Sequence, residues 1–111
     1  MRRFMLVALA LTALALPASA AASVRLKSIT SPVSAGSHAT LTISVSRSAS
    51  CSITVNYKSG PSHAAGLYPK RTTAGRVSWS WMVGTRTTPG RWTIDVYCGV
   101  AGSLHTSFVT T

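Results

Sequence analysis

Residues 76–98 read RVSWSWMVGTRTTPGRWTIDVYC, and this stretch decides the fold class. It contains two runs in which apolar and polar residues alternate, joined by a turn-rich segment that ends in Thr88-Pro89-Gly90. Successive side chains of a β-strand point to opposite faces, so each run has one apolar face. The apolar positions are Val77, Trp79, Trp81 and Val83 in the first run, and Trp92, Ile94, Val96 and Cys98 in the second. The pattern predicts an antiparallel hairpin with one buried face.

Turn residues interrupt the rest of the chain at short intervals, and no segment keeps the period of a helix. Further strands are predicted from Val24 to just before Pro32, at 39–45, at 51–57 and at 104–108. The polar segment 47–50 is expected to turn the chain. Residues 59–75 are rich in Gly and Pro, and are expected to form a crossover with at most one short edge strand around Leu67–Arg71. Six strands and a doubtful seventh, separated by frequent turns, are typical of an all-β sandwich.

The first twenty residues have the features of a secretory signal peptide. Arg2 and Arg3 form a charged start, and the apolar segment 4–16 is shorter than the roughly 20 residues that a membrane span needs. The sequence Pro17-Ala18-Ser19-Ala20 supplies a cleavage signal. We therefore expect a signal peptide at 1–20, one domain at 23–111 that does not span a membrane, and a secreted, extracellular or periplasmic product.

The chain is strongly basic. It has eleven Lys and Arg, one acidic residue (Asp95) and a formal net charge of +10 at pH 7. Cleavage of the signal would remove only two of these cations. A surface of this kind attracts anionic polymers, such as wall phosphates, acidic polysaccharides, lipid head groups or nucleic acid. Basic composition without a function is the alternative.

The strand order, the long crossover after the third strand, and the run GRVSWSWMV followed by TTPGRWTIDVYC resemble the immunoglobulin-like or fibronectin-III-like modules of secreted bacterial proteins. The resemblance covers nearly all of 23–111. It implies a single small immunoglobulin-like antiparallel β-sandwich of about seven strands, and no catalytic role, because such modules mostly serve as spacers, adhesins or binding accessories. One departure is that Val96 stands where antibody-type domains have Tyr, two residues before the second cysteine. The chain is therefore similar to a generic sandwich rather than to an antibody domain.

Cys51 and Cys98 are the two cysteines of the chain, and export would favour a disulfide between them. The resemblance implies where they meet, since in an immunoglobulin-like topology the start of the third strand lies beside the end of the sixth in one sheet. A redox role is not expected, because the chain has no C-x-x-C motif.

The sequence argues against catalysis and against a metal or cofactor. Acid–base work by paired carboxylates needs two, and only Asp95 exists. No nucleophile elbow, phosphate-binding loop or dinucleotide motif is present. His38, His63 and His105 lie on separate segments, away from metal-ligand spacing, and are interpreted as solvated surface residues.

The basic residues and one tryptophan remain as candidates for binding. Lys58, Arg86 and Arg91 are expected to gather at one end of the sandwich as an anion-binding site, whereas Arg47 and Arg76 are expected at the disulfide end, with Arg25 and Lys27 nearby. Spread over both ends, this charge favours adhesion over specific nucleic-acid recognition. Trp79 and Trp81 are assigned to the core. Trp92 begins its strand and is a candidate for stacking on a sugar ring.

The leading hypothesis is a non-catalytic interaction or adhesion module for anionic cell-surface or extracellular polymers. The alternatives are a carbohydrate-binding module that uses Trp92, and a purely structural extracellular domain with no ligand. A secreted inhibitor that presents the 59–75 or 84–90 loop to a protein partner is also left open.

Overall fold

A single long strand organises the fold. The computed structural model describes residues 23–111, and the predicted signal peptide at 1–20 lies outside them. Within these residues the strands are β1 (Val24–Ile29), β2 (His38–Tyr57), β3 (Gly60–Pro61), β4 (Lys70–Met82), β5 (Gly90–Tyr97) and β6 (Ser103–Thr110). A short 3₁₀ turn, Gly99–Ala101, precedes β6. The predicted all-β class with antiparallel strands is confirmed.

The strands form a curled antiparallel sheet with two halves, and β2 belongs to both. In the first half, the N-terminal part of β2 lies between β1 and β4. In the second half, its C-terminal part lies between β3 and β5, and β6 pairs with the far side of β5. After β1 the chain crosses to the second half, where Val33 forms a parallel bridge to Thr110 of β6.

The predicted turn at 47–50 is wrong, because β2 continues through it. A register shift between Val45 and Ser48 of β2 marks a bulge in its ladder with β4. A bulge adds a residue to one strand and bends it, so the chain changes direction without ending the strand. On β4 the bend falls at Ala74 and Gly75, which both have positive φ angles. The polar composition of 47–50 therefore reflects exposure at a bend.

The predicted hairpin over 76–98 is also wrong, although its buried faces are confirmed. Within the described chain, β4 pairs with β2 in the first half, and β5 pairs with β2 and β6 in the second. The two strands are therefore not neighbours in one ladder, although both turn their apolar residues to the same core. Alternation shows which face of a strand is buried, but it does not show which strand lies beside it.

The core is filled from both halves. Trp79 and Trp81 of β4 are 0% and 1% exposed, as predicted, and Phe108 of β6 is fully buried. The rings of Trp81 and Phe108 meet edge to face with centroids 5.8 Å apart, which shows that the halves pack directly on each other. Other buried side chains are Ala39, Leu41, Ile43, Val45, Ile53, Val55, Val77, Val83, Ile94 and Val96.

The predicted crossover at 59–75 is shorter than expected. It contains β3, an irregular segment at 62–69 and the start of β4 at Lys70. Of the edge strand predicted at 67–71, only residues 70–71 lie in a strand, and they belong to β4. The irregular segment runs along β4. The indole N–H of Trp79 donates to the carbonyl of Tyr68 in this segment (2.8 Å). At the start of β4, the Lys70 ammonium donates to the carbonyl of Ser78 (2.6 Å). An exposed strand edge invites pairing with other chains, and this segment covers part of that edge.

The predicted disulfide is present. Cys51 and Cys98 are bonded and fully buried. They lie opposite each other, one position beyond the paired residues Ser52 and Tyr97 at the end of the β2–β5 ladder. The bond therefore joins β2 to the residue that follows its neighbour β5, at the end of the ladder where the resemblance placed it.

Candidate anion-binding grooves

A groove opens at the end of the sheet where β2 finishes and where the loop between β4 and β5 reverses the chain. Its volume is about 550 Å³, and its lining includes Tyr57, Lys58, Arg86, Thr87 and Thr88. We call it the Lys58–Arg86 groove. Both cations are exposed at its rim. Two of the three residues predicted for an anion site therefore line one concave surface.

Hydrogen bonds hold the loop that carries Arg86. The Thr87 N–H donates to the carbonyl of Gly84 (3.0 Å), which closes a turn around Arg86. The carbonyl of Thr88 accepts from the indole N–H of Trp92 (3.0 Å) and from the hydroxyl of Thr110 (3.1 Å). Because Thr110 is buried, these bonds tie the loop to the body of the sheet.

Tyr57 connects the groove to the aromatic core. Its phenol oxygen accepts a hydrogen bond from the indole N–H of Trp81 (3.1 Å). Its ring packs edge-on against Trp92 and Phe108, with centroids 6.2 and 6.1 Å away. Burial raises the pKa of Tyr57, and the hydrogen bond from Trp81 lowers it by a smaller amount. The phenol is therefore neutral at physiological pH, and its own proton remains available to donate.

The structure places Arg91 and Trp92, the other two predicted binding residues, outside the lining of this groove. Arg91 is exposed on β5, and its guanidinium donates to the hydroxyl of Ser107 (3.1 Å). Trp92 is half-buried, and its indole N–H is shared between Thr88 and Thr110. Trp92 thus supports the groove from behind rather than standing free as a platform.

A second basic groove lies at the bend of the β2–β4 ribbon. Its volume is about 440 Å³, and its lining includes Ser48, Arg71, Thr73, Ala74 and Arg76. We call it the Arg71–Arg76 groove. Sequence reasoning placed Arg76 at the disulfide end and Arg71 on the crossover, and did not bring them together. Their meeting depends on the bend at Ala74 and Gly75, and the Ala-Gly pair before the strongly alternating run was the one available signal.

The one acidic side chain of the chain lies in neither groove lining. Asp95 projects from β5 opposite His105 of β6, and its Oδ1 contacts the Nδ1 of His105. The Asn56 amide donates to the other carboxylate oxygen (3.2 Å). His105 is exposed, as predicted, but its pairing with Asp95 was missed because strand register cannot be read from alternation. Among residues 23–111, no three His, Cys, Asp or Glu side chains gather as a metal site would require.

No protein-family model matches the chain, and no curated protein matches it significantly. In the part of the chain that the structure describes, no helix combines the length and apolar character of a membrane span.

Proposed function

We propose that this chain is a secreted, non-catalytic binding module with an immunoglobulin-like sandwich fold, and that it adheres to anionic cell-surface or extracellular polymers. The observation that carries the proposal is the convergence of Lys58 and Arg86 on one concave surface. The facing halves of the curled sheet and the disulfide between neighbouring strands support the fold assignment.

The chemistry of the Lys58–Arg86 groove suits an anionic group. Arg offers a planar fork of donors to a carboxylate, phosphate or sulfate, and Lys adds a compact positive charge. Thr87, Thr88 and the neutral phenol of Tyr57 add neutral hydroxyl groups to the lining. The only acidic side chain of the chain, Asp95, is engaged by His105 and Asn56 and does not line the groove.

Binding of this kind depends on salt. Charges near a protein surface are screened beyond about 8 Å at physiological ionic strength, so retention on an anionic polymer should fall steeply as salt rises. Binding to a neutral glycan through Trp92 would depend little on salt. The two modes are therefore separable, and the bonds that Trp92 makes inside the protein favour the first.

The test is chromatography of the purified protein on a polyphosphate matrix and on a neutral dextran matrix, with a salt gradient. We expect retention on polyphosphate alone, with earlier elution of the Lys58→Gln/Arg86→Gln variant. The matched control is Arg25→Gln/Lys27→Gln, which removes the same charge from β1, outside both groove linings. Arg91→Gln should move elution by less than the groove variant. Equal shifts for the groove variant and its control would show that only net charge matters, and passage through both columns would refute the proposal.

A further inference from the structure

We propose that the Arg71–Arg76 groove is a second anion-binding site, and that one molecule uses its two grooves to bridge two anionic polymer chains. The inference rests on the proposed function and extends it from adhesion to cross-linking. It begins from the two guanidinium groups at the bend, which share a concave surface with the hydroxyls of Ser48, Thr72 and Thr73. This lining combines cations with small hydrogen-bonding groups, as the first groove does.

The two grooves are far apart along β2. Ser48 lines the second groove and Tyr57 lines the first, nine residues further along β2. At about 3.3 Å per residue, the strand separates them by roughly 30 Å. This exceeds the screening length of about 8 Å at physiological salt, so an anion in one groove has little effect on the other.

The surface between the grooves does not provide a continuous basic track. The residues of β2 that alternate with its buried positions here are Ser50, Ser52, Thr54 and Asn56, which are all uncharged. Asp95 stands beside this strip, opposite Thr54 in the ladder. A single polymer that followed β2 from one groove to the other would cross a neutral strip next to the only negative side chain. Two separate sites that hold two chains fit this charge pattern better.

The first measurement is the stoichiometry of tripolyphosphate binding by calorimetry at low salt, because this probe is too short to reach both grooves. We expect two sites on the wild-type protein and one on each groove variant, Lys58→Gln/Arg86→Gln and Arg71→Gln/Arg76→Gln. The Arg25→Gln/Lys27→Gln control should keep two. The variant Arg71→Lys/Arg76→Lys keeps the charge and should also keep two sites.

The second measurement is light scattering after mixing the protein with long-chain polyphosphate. A bridging molecule produces a network, so scattering should reach a maximum at an intermediate ratio and fall when protein is in excess. Each groove variant should lose most of this scattering while it still binds the polymer, and the control should keep it. Repeating the titration with alginate distinguishes phosphate-bearing from carboxylate-bearing polymers.

The outcomes separate the two proposals. If the wild-type protein binds neither polymer, the proposed function fails and the bridging proposal fails with it. If it binds with one site and without a scattering maximum, only the second groove and the bridging are refuted. A scattering maximum that both groove variants retain as fully as the control would also overturn the bridging.

Discussion

At the end that carries the Lys58–Arg86 groove, aromatic side chains hold the two halves of the sheet together, whereas at the opposite end a disulfide joins β2 to the residue after β5. Trp81 and Phe108 come from different halves and pack edge to face across the core. Cys51 lies on β2, where it also pairs with Lys70 of β4, and Cys98 is the residue that follows β5. The disulfide therefore lies on β2 where the two halves meet, and at this end the halves are also connected by the bent β2–β4 ribbon. The end with the Lys58–Arg86 groove depends on side-chain packing, and the disulfide end depends on covalent bonds along and between the strands.

Removing the disulfide should cause the largest loss of folding stability among the substitutions that test this difference between the two ends. The bond links residues 47 positions apart, and closing a loop of that length restricts the unfolded chain by about 4 kcal/mol in the chain-entropy model. We expect Cys51→Ala/Cys98→Ala to lower the free energy of unfolding in urea by about that amount. The contacts between Trp81 and Phe108 should survive in the folded fraction, because they lie at the other end. A loss below about 1 kcal/mol would show that the bond does little to restrict the unfolded chain.

The irregular segment at 62–69 gives a second support to the end with the Lys58–Arg86 groove. Gly66 is the residue of this segment that is most sensitive to substitution. A Cβ added at Gly66 would overlap the carbonyl oxygen of Ser80 on β4, and φ here is +100°. We expect Gly66→Ala to destabilise the fold by about 3 kcal/mol, from backbone strain and displacement of the segment together. Gly60 is the matched control, with φ +121° and open space around its Cβ position. Equal losses for the two variants in urea unfolding would show that the contact with β4 is unimportant.

Replacing Phe108 tests the aromatic contact itself. Phe108→Leu keeps most of the buried volume but removes the edge contacts to Trp81 and Tyr57. Such contacts are worth about 0.5–1.5 kcal/mol each beyond the buried area, so we expect a total loss of about 1.5 kcal/mol. The near-ultraviolet circular dichroism of the tryptophans should weaken as well. An unchanged spectrum and an unchanged unfolding midpoint would mean that the halves do not depend on this pair.

The sequence predicted the buried faces well but the neighbours of the strands poorly. The burial of Trp79, Trp81 and both cysteines follows from alternation, which is a local property. The hairpin was wrong because two strands with inward apolar faces can lie side by side or face each other, and both arrangements give the same alternation. The turn at 47–50 was wrong because a bulge lets an exposed polar segment bend while it stays paired.

The same distinction explains which parts of the candidate sites were predicted. Lys58 and Arg86 both follow the end of a strand, so the order of strands alone brought them to one end of the fold. Arg71 and Arg76 meet only because the ribbon bends between them, which depends on φ angles at Ala74 and Gly75. The contact between Asp95 and His105 depends on register, which also has no signal in a single sequence.

Replacing Tyr57 should have the smallest effect on stability, and it tests the end with the Lys58–Arg86 groove most specifically. Burial raises its pKa above the ordinary value of 10.0, so the folded state favours the neutral phenol. The stability that Tyr57 contributes is therefore complete below about pH 10 and is lost as the pH rises through its value in the folded protein. Tyr57→Phe should lower the free energy of unfolding by about 1 kcal/mol at neutral pH, because the Trp81 N–H loses its acceptor, and the difference between the two proteins should shrink at high pH.

The wild-type minus variant absorbance near 295 nm isolates the Tyr57 phenolate, and the midpoint of its titration should lie above pH 10. Lysine and arginine titration is common to both proteins and cancels in the comparison. A midpoint at or below pH 10 would mean that the cations Lys58 and Arg86 outweigh burial, and that the groove stabilises negative charge more strongly than its lining indicates.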